Sequence, residues 1–453
     1  MLLNRGMEAA QLNQYYNRPG SGMVVVYGQK GIGKTSLIRE FVQDKPHVYY
    51  LARSCSEREQ IYRWGEELKA YYGISGGCLS YEDIFYSIQH AGSGKRVLVI
   101  DEFQNILKAD STFFPSLYQF LKNPSKEEFL VVLCSSSVCF VENNMIKKMG
   151  EAAHGLRGLL KLRKLRFTDL RQYFPAYDLK QCICLYALLD GLPGLWKRID
   201  TTLSVKENVV RNMLDTDGFF LREAMSEVSE ELRETAVYNT ILTGLAEGRN
   251  TLQELYSHTG FSRAKISVYL KNLMELELVE KVFSFDTEGK ANSQKGIYRI
   301  SNHFVHFYFR FLYPNRSALA LMSADEFYEK NIQFSFKNFA ALYFNEICKQ
   351  RIEKWNQEEK LPIAIDRIGE WVGKSGNIDV VAQDENGKTL AAYCNWEKSV
   401  MQYGDYEKLL SSMGKAKLKA DTIYLFSIQR FDEKLSLEAK MKKNLKLISL
   451  EDM

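Results

Sequence analysis

Residues 23–27 (Met-Val-Val-Val-Tyr) form a short β-branched apolar run that stops at Gly28. That is the pattern of a strand buried on both faces. A helical pattern follows over 35–42. The alternation then repeats, with a strand at 47–51, helices over 56–72 and 81–90, a strand at 96–100, a helix at 114–121 and a strand at 129–134. Strands separated by helices predict βαβ units and a mostly parallel sheet. In such sheets ligands gather at the carboxyl ends of the strands. Polar residues stand at those ends here: the segment from Gly28 onward, Asp101-Glu102, and Ser135-Ser136-Ser137.

From 167 to about 232 the periodicity is helical, interrupted by Gly191-Leu192-Pro193-Gly194. Residues 237–300 read as three helices followed by a β-hairpin. Beyond about 325 a long helix (336–355) precedes short strands around 378–381, 389–394 and 422–426. The chain is thus of the α/β class throughout. No repeat, low-complexity tract or Pro-rich linker marks its boundaries.

Composition narrows the picture. With 453 residues, 45% apolar and 26% charged, the chain reads as two to four ordinary globular domains. A net charge of +4 makes any basic site a local one. The eight cysteines include no C-x-x-C pair, and several lie in apolar runs, which suits reduced thiols in a cytoplasmic protein. Neither a signal-peptide pattern nor an apolar stretch of membrane-spanning length is evident, so no membrane partner is expected.

The chemistry concentrates in Gly28-Gln29-Lys30-Gly31-Ile32-Gly33-Lys34-Thr35, followed by Ser36. This is the complete G-x-x-x-x-G-K-[ST] spacing, after a strand and before a helix. The glycines let the backbone curl so that amides from about Lys30 to Thr35 point at phosphate oxygens. The following helix adds its positive N-terminal end. Lys34 is then placed to reach the β- and γ-phosphates, and the Thr35 hydroxyl to ligate Mg²⁺. The strand ending in Asp101-Glu102 supplies the rest: Asp101 for the metal, Glu102 to polarise the attacking water. The expected ligands are ATP and Mg²⁺, and no N-K-x-D element that reads guanine is evident. Ser135 and Ser136 are candidate sensors of the γ-phosphate or the attacking water, or part of a serine-rich turn. Arg157 is a candidate arginine finger given to a neighbouring subunit of a homo-oligomer, or part of a solvated basic strand with Lys161, Arg163 and Lys164.

These motifs, with Asn4-Arg5 and Glu8 before the loop, Leu192-Pro193, and Tyr298-Arg299-Ile300-Ser301-Asn302 leading into 304–314, resemble the archaeal-type ATPases of the AAA+/STAND branch. Gly6 departs from that pattern, where an acidic residue is usual. The resemblance implies a P-loop ATPase core (1–166), a helical lid (167–232), a winged helix (233–315) and a C-terminal domain similar to PD-(D/E)xK restriction endonucleases (325–453).

Within the winged-helix segment, 263–276 reads as a recognition helix. Ile266, Leu270 and Leu273 form its buried face, and Arg263, Lys265 and Lys271 are left for solvent or for duplex DNA. In the C-terminal segment Asp379 occupies the position of a nuclease acid, and Glu346 resembles the family's accessory acid. Tyr393 and Asn395, however, stand where a carboxylate and a lysine are required for metal-assisted hydrolysis. Glu397 and Lys398 lie just beyond. The domain therefore reads as a degenerate nuclease fold. The expected function is a nucleotide-driven switch, its partner DNA or another protein; the alternatives are an ATP-gated DNA-binding regulator or defence protein, and an active ATP-dependent nuclease.

Overall fold

Five short runs assemble the first sheet: β1 (Gly22–Tyr27), β2 (His47–Leu51), β3 (Arg96–Asp101), β4 (Phe129–Ser135) and β5 (Leu156–Lys161). They are all parallel, in the order β2-β3-β4-β1-β5. The computed structural model describes residues 4–74, 77–108, 112–122, 127–229, 232, 234–287, 296–373, 376–396 and 399–452. Every residue of β1, β3 and β4 is buried, which is why these strands read as uninterrupted apolar runs. Strand β5 is mostly half-exposed. Its mixed sequence, Leu-Arg-Gly-Leu-Leu-Lys, makes it the basic strand that is one of the two readings of the Arg157 segment.

The flanking helices start where capping chemistry tells them to. Ser56 accepts from Glu59 N–H at the head of Glu57–Tyr72, and Ser80 with Asp83 forms a reciprocal box at the head of Tyr81–His90. Trp64 from the first of these stacks on Tyr50 of β2, with ring centroids 4.3 Å apart.

The chain divides into two compact units, Met1–Leu165 with Leu192–Lys197, and Arg166–Gly191 with Arg198–Met453. The short segment around Pro193, read from sequence as part of a lid, thus groups with the first unit. The reason is local: Gly194 N–H donates to Gly31 O at 2.8 Å, and a Cβ on Gly194 would lie 2.8 Å from Gly31 Cα. Only glycine allows the two backbones to meet there.

The second unit contains the helices Thr235–Ala246, Leu252–Thr259 and Arg263–Glu275, then the hairpin β6 (Val279–Val282) and β7 (Ile297–Ile300). Gly260 closes the middle helix at φ +70°, and Ser262 caps the next. Ile266, Leu270 and Leu273 are fully buried. A long helix, Gln333–Gln357, leads into a second five-stranded sheet: β8 (Arg367–Gly373), β9 (Gly376–Gln383), β10 (Thr389–Asn395), β12 (Thr422–Ser427) and β14 (Leu445–Ser449). A small pair, β11 (Val400–Met401) and β13 (Arg430–Phe431), stands beside it. The order is β14-β12-β10-β9-β8. The strands β8 to β10 are antiparallel to one another, whereas β10, β12 and β14 are parallel. The hairpin is tied to this sheet. Arg299 of β7 grips Glu370 of β8 through two bonds of 2.5 and 2.7 Å, and Val372 N–H donates to Ser284 Oγ at 3.0 Å.

Candidate nucleotide site

The loop after β1 is built on backbone shapes that ordinary residues avoid. Gly31 has φ +74° and Gly33 φ +101°, and the helix Lys34–Val42 starts directly after them. Lys34 is buried, and its Nζ donates to the loop carbonyls of Gly28 (2.8 Å) and Gln29 (3.2 Å). Beside the loop is a cavity of about 280 Å³, lined by residues 30–36, Arg5, Glu102, Pro193, Gly194 and Lys197. Among the described residues it presents four cations (Arg5, Lys30, Lys34 and Lys197) against one carboxylate, Glu102. That balance, at a helix N-terminus, suits a polyphosphate.

Asp101 and Glu102 diverge from the end of β3 into two separate networks. Asp101 is buried. Its Oδ2 accepts from the Thr35 hydroxyl at 3.0 Å and from the Tyr49 hydroxyl at 2.8 Å, and its Oδ1 accepts from Glu102 N–H at 3.0 Å. The Tyr49 hydroxyl is pushed well above its ordinary pKa by burial first and by the Asp101 charge second, so it stays a donor. Glu102 adopts φ +52°. Its Oε2 accepts from Ser136 Oγ (2.6 Å), Ser136 N–H (3.2 Å) and Gln104 Nε2 (2.5 Å). Thr35 and Asp101 together form a pair of hard oxygen donors, which fits Mg²⁺.

The remaining expected residues are distributed unevenly. Ser36 lines the cavity and accepts from Lys197 Nζ at 3.0 Å. Ser135 is fully buried, its Oγ accepting from Ser137 N–H at 3.1 Å; its neighbour Ser136 is the serine that reaches Glu102. Arg157 is not brought to the cavity. Its guanidinium is spread over four carbonyls, Tyr15 (3.1 Å), Arg18 (3.2 Å), Pro19 (2.8 Å) and Gly20 (2.7 Å), and burial lowers its pKa. It secures the turn before β1. Sequence reasoning missed Lys197, Tyr49 and Gln104 as site residues. Lys197 and Tyr49 reach the site from separate segments, and Gln104, two residues beyond Glu102, reaches it through its bond to the Glu102 carboxylate.

The acids of the C-terminal sheet do not converge. Asp379 Oδ1 accepts from Asn345 Nδ2 at 3.1 Å and Oδ2 from Cys394 N–H at 2.8 Å. Burial raises its pKa to about 6. Glu346, expected as the accessory acid, is held elsewhere by Tyr186 OH (2.9 Å), Gln350 Nε2 (2.9 Å) and His303 Nε2 (3.2 Å). Among the described residues no three His, Cys, Asp or Glu side chains gather to hold a metal ion. Glu397 and Lys398 lie outside the described residues.

On the recognition helix, Arg263 stacks over Tyr256 (5.0 Å) and bonds Gln253. Lys265 lies over Phe261 (5.0 Å), and Lys271 pairs loosely with Glu275 at 3.8 Å. Among the described residues no helix is long and apolar enough to cross a membrane.

A parallel sheet with the phosphate loop after β1 and an acidic pair at the end of β3 defines a P-loop ATPase domain. Residues 2–195 match the family described as an ATPase domain predominantly from Archaea. Residues 239–281 match the arsR family of bacterial regulatory proteins, a helix-turn-helix family. Residues 308–409 match a family described as archaeal and bacterial proteins of unknown function. An uncharacterised protein of Methanocaldococcus jannaschii is 26% identical over 95% of this chain and 100% of its own length. The Walker-type ATPase of Pyrococcus abyssi shares the fold at a TM-score of 0.51, with 15% identity over 68% of this chain and 96% of that one. The ORC2 protein of Aeropyrum pernix, solved as ADPNP–ADP complexes, aligns at a TM-score of 0.46, with 17% identity over 72% and 94% of the two chains.

Proposed function

We propose that the chain is a Mg²⁺-dependent ATPase that works as a nucleotide-driven switch for the winged-helix and C-terminal modules, in the four-part division 1–166, 167–232, 233–315 and 325–453. The observation that carries the reading is the 3.0 Å bond from the Thr35 hydroxyl to Asp101 Oδ2. It brings the last residue of the phosphate loop and the strand-end acid to one point. In this reading the loop amides and Lys34 bind the β- and γ-phosphates, and Arg5 and Lys197 add positive charge at the cavity wall. Thr35 and Asp101 would hold Mg²⁺, which would supply positive charge to offset the charge that develops on the phosphates. Glu102 orients the water that attacks the γ-phosphorus and takes up its proton. The test is steady-state MgATP turnover by the purified chain, with Lys34→Ala as the blank. Turnover no greater than the blank in wild type overturns the proposal.

A second reading has a specific observation behind it: the helix-turn-helix match over 239–281, with Arg263 and Lys265 at the head of the recognition helix. In that reading nucleotide occupancy gates binding to duplex DNA. Turnover stimulated by duplex DNA supports it; turnover indifferent to DNA directs the switch toward a protein partner. We assign no nucleic-acid hydrolysis to the C-terminal sheet, given Tyr393 and Asn395 beside an Asp379 that is bonded to Asn345 and Cys394.

A further inference from the structure

One end of the C-terminal sheet gathers lysines. Strands β12 and β14 run parallel with Ile423 opposite Leu445, and Ile423 N–H donates to Asn444 O at 2.7 Å. The segments that enter these strands are therefore neighbours. One leaves the helix Tyr403–Ala416 and carries Lys415, Lys417 and Lys419. The other leaves the helix Glu433–Met441 and carries Lys440, Lys442 and Lys443. All six residues are exposed. Residues 415–446 hold nine basic and four acidic side chains, a net of +5, whereas the whole chain nets +4.

The acids here are engaged or distant. Asp421 Oδ2 accepts from Thr389 N–H at 2.8 Å, and Glu438 pairs with Lys442 at 2.7 Å. Asp432 caps the far end of the helix Glu433–Met441, accepting from Leu435 and Tyr403 N–H, and Glu433 is in that helix's first turn. The turn before β10 bounds the strip with Asp384, Glu385 and Lys388. Lysines complement helix C-termini, and that explains the one or two nearest each end. It does not call for two adjoining segments with three lysines each. This end is also remote from Asp379. Asp379 is bonded near the finish of β10, whereas the lysine segments adjoin its start, where Asp421 N–H donates to Thr389 O at 2.8 Å. The seven residues of β10 separate the two ends by roughly 20 Å.

We propose that this lysine end is a surface that grips the phosphate backbone of duplex DNA without reading sequence. The inference rests on the DNA-binding reading above and moves the main electrostatic contact away from the recognition helix. Lysine is a compact charge on a long stem, suited to phosphate contacts that position a duplex. The recognition helix offers less, because Lys271 pairs with Glu275 and Arg263 is stacked on Tyr256.

The test is fluorescence anisotropy of the full chain with a labelled 25-base-pair duplex of arbitrary sequence, over a range of KCl. The quadruple variant Lys417→Glu/Lys419→Glu/Lys440→Glu/Lys443→Glu is compared with Arg263→Glu/Lys265→Glu. The expected result is an affinity loss of at least ~10-fold in the quadruple variant, with the log–log salt slope flattened by about 0.9 for each phosphate contact removed. MgATP turnover in the absence of DNA is unchanged by the quadruple variant, and its urea-unfolding transition read by tryptophan fluorescence, to which the buried Trp371 and Trp396 of the same sheet contribute, reports that it folds. Loss of binding in the recognition-helix variant with wild-type affinity in the quadruple variant overturns this proposal and leaves the DNA reading standing. Failure of the wild-type chain to bind duplex at low salt overturns both. Equal or tighter binding to vesicles of anionic lipid, lost in the quadruple variant, overturns the choice of DNA.

Discussion

Asp101 and Asp379 make an instructive pair. Each is an aspartate on a strand of a five-stranded sheet, preceded by an isoleucine, and each accepts one side-chain and one backbone hydrogen bond or more. Their surroundings differ. Asp101 ends a parallel strand, beside a phosphate loop and the Thr35 hydroxyl. Asp379 lies within an antiparallel strand, between Asn345 and Cys394, with Tyr393 and Asn395 on the partner strand. A strand-borne carboxylate becomes a reaction site only when its neighbours supply cations, donors and room for substrate. The first sheet supplies all three. The second presents the acid between Asn345 and Cys394 instead.

The largest expected effects break the first site and spare the second. Glu102→Gln removes the base while keeping a hydrogen-bonding side chain of the same size. Turnover should fall on the order of 10²-fold or more, with ATP binding retained when measured by titration calorimetry. Full turnover in this variant refutes the assignment. Asp101→Asn should cost a similar factor, and Asp379→Asn should leave turnover at the wild-type value. A smaller loss is expected from Gly194→Ala, because the new Cβ would lie 2.8 Å from Gly31 Cα. The loop must then shift, and a misplacement of about 1 Å costs up to ~10²-fold in rate. Unchanged ATP affinity and turnover there would show that the Gly31–Gly194 approach is incidental.

How much of this was legible in the sequence follows from the same contrast. The strands ending in Gly28, Asp101 and Ser135 were readable because they are buried on both faces and so purely apolar. The edge strands β8 and β14 were not, and β5 was readable only as one alternative for its basic segment, because half-exposed strands mix lysine, glycine and glutamate into the run. In the site, the loop residues and the acidic pair are consecutive and carry a spacing. Lys197 and Tyr49 come from two other segments, and only the fold brings them there, whereas Gln104 follows Glu102 by two residues with no spacing of its own to single it out. Ser135 shows the converse: it is next to the site in sequence, yet its hydroxyl is bonded to Ser137 N–H and not to the acidic pair.

A moderate effect distinguishes the two aspartates by pH. Asp379 has its pKa raised to about 6 from an ordinary 3.8, chiefly by burial. Between those values the folded chain binds more protons than the unfolded chain, so stability falls as pH rises through that window, and the cost is fully present above it. One unit corresponds to about 1.4 kcal/mol, and partial exposure of Asp379 reduces the total. Asp379→Asn should therefore stabilise the C-terminal sheet by about 1–2 kcal/mol at pH 8 relative to its effect at pH 4.5. Urea unfolding followed by tryptophan fluorescence reads this, since Trp371 and Trp396 are buried in that region. His306 acts in the opposite sense: burial lowers its pKa to about 3, so stability is lost as pH falls below its ordinary 6.5. It is common to both proteins and cancels in the difference. A variant with no pH-dependent gain would mean that the Asp379 carboxylate is well solvated.

The smallest effect tests what holds Asp101 ready. Tyr49 comes from β2, the neighbouring strand, and donates to the same Oδ2 that accepts from Thr35. Tyr49→Phe removes one hydroxyl and leaves the ring that fills the space, so folding should be little disturbed. Without that donor the carboxylate is less firmly oriented, a change worth about 1 kcal/mol. The expected outcome is a several-fold rise in the Mg²⁺ concentration giving half-maximal turnover, on the order of 3–5-fold from that energy. Turnover at saturating Mg²⁺ should stay near wild type, and nucleotide affinity in EDTA should not change. That split separates the two explanations of the contact. A hydroxyl that merely braces the sheet would, when removed, lower stability and all three readings together. A hydroxyl that positions Asp101 shifts the metal requirement alone.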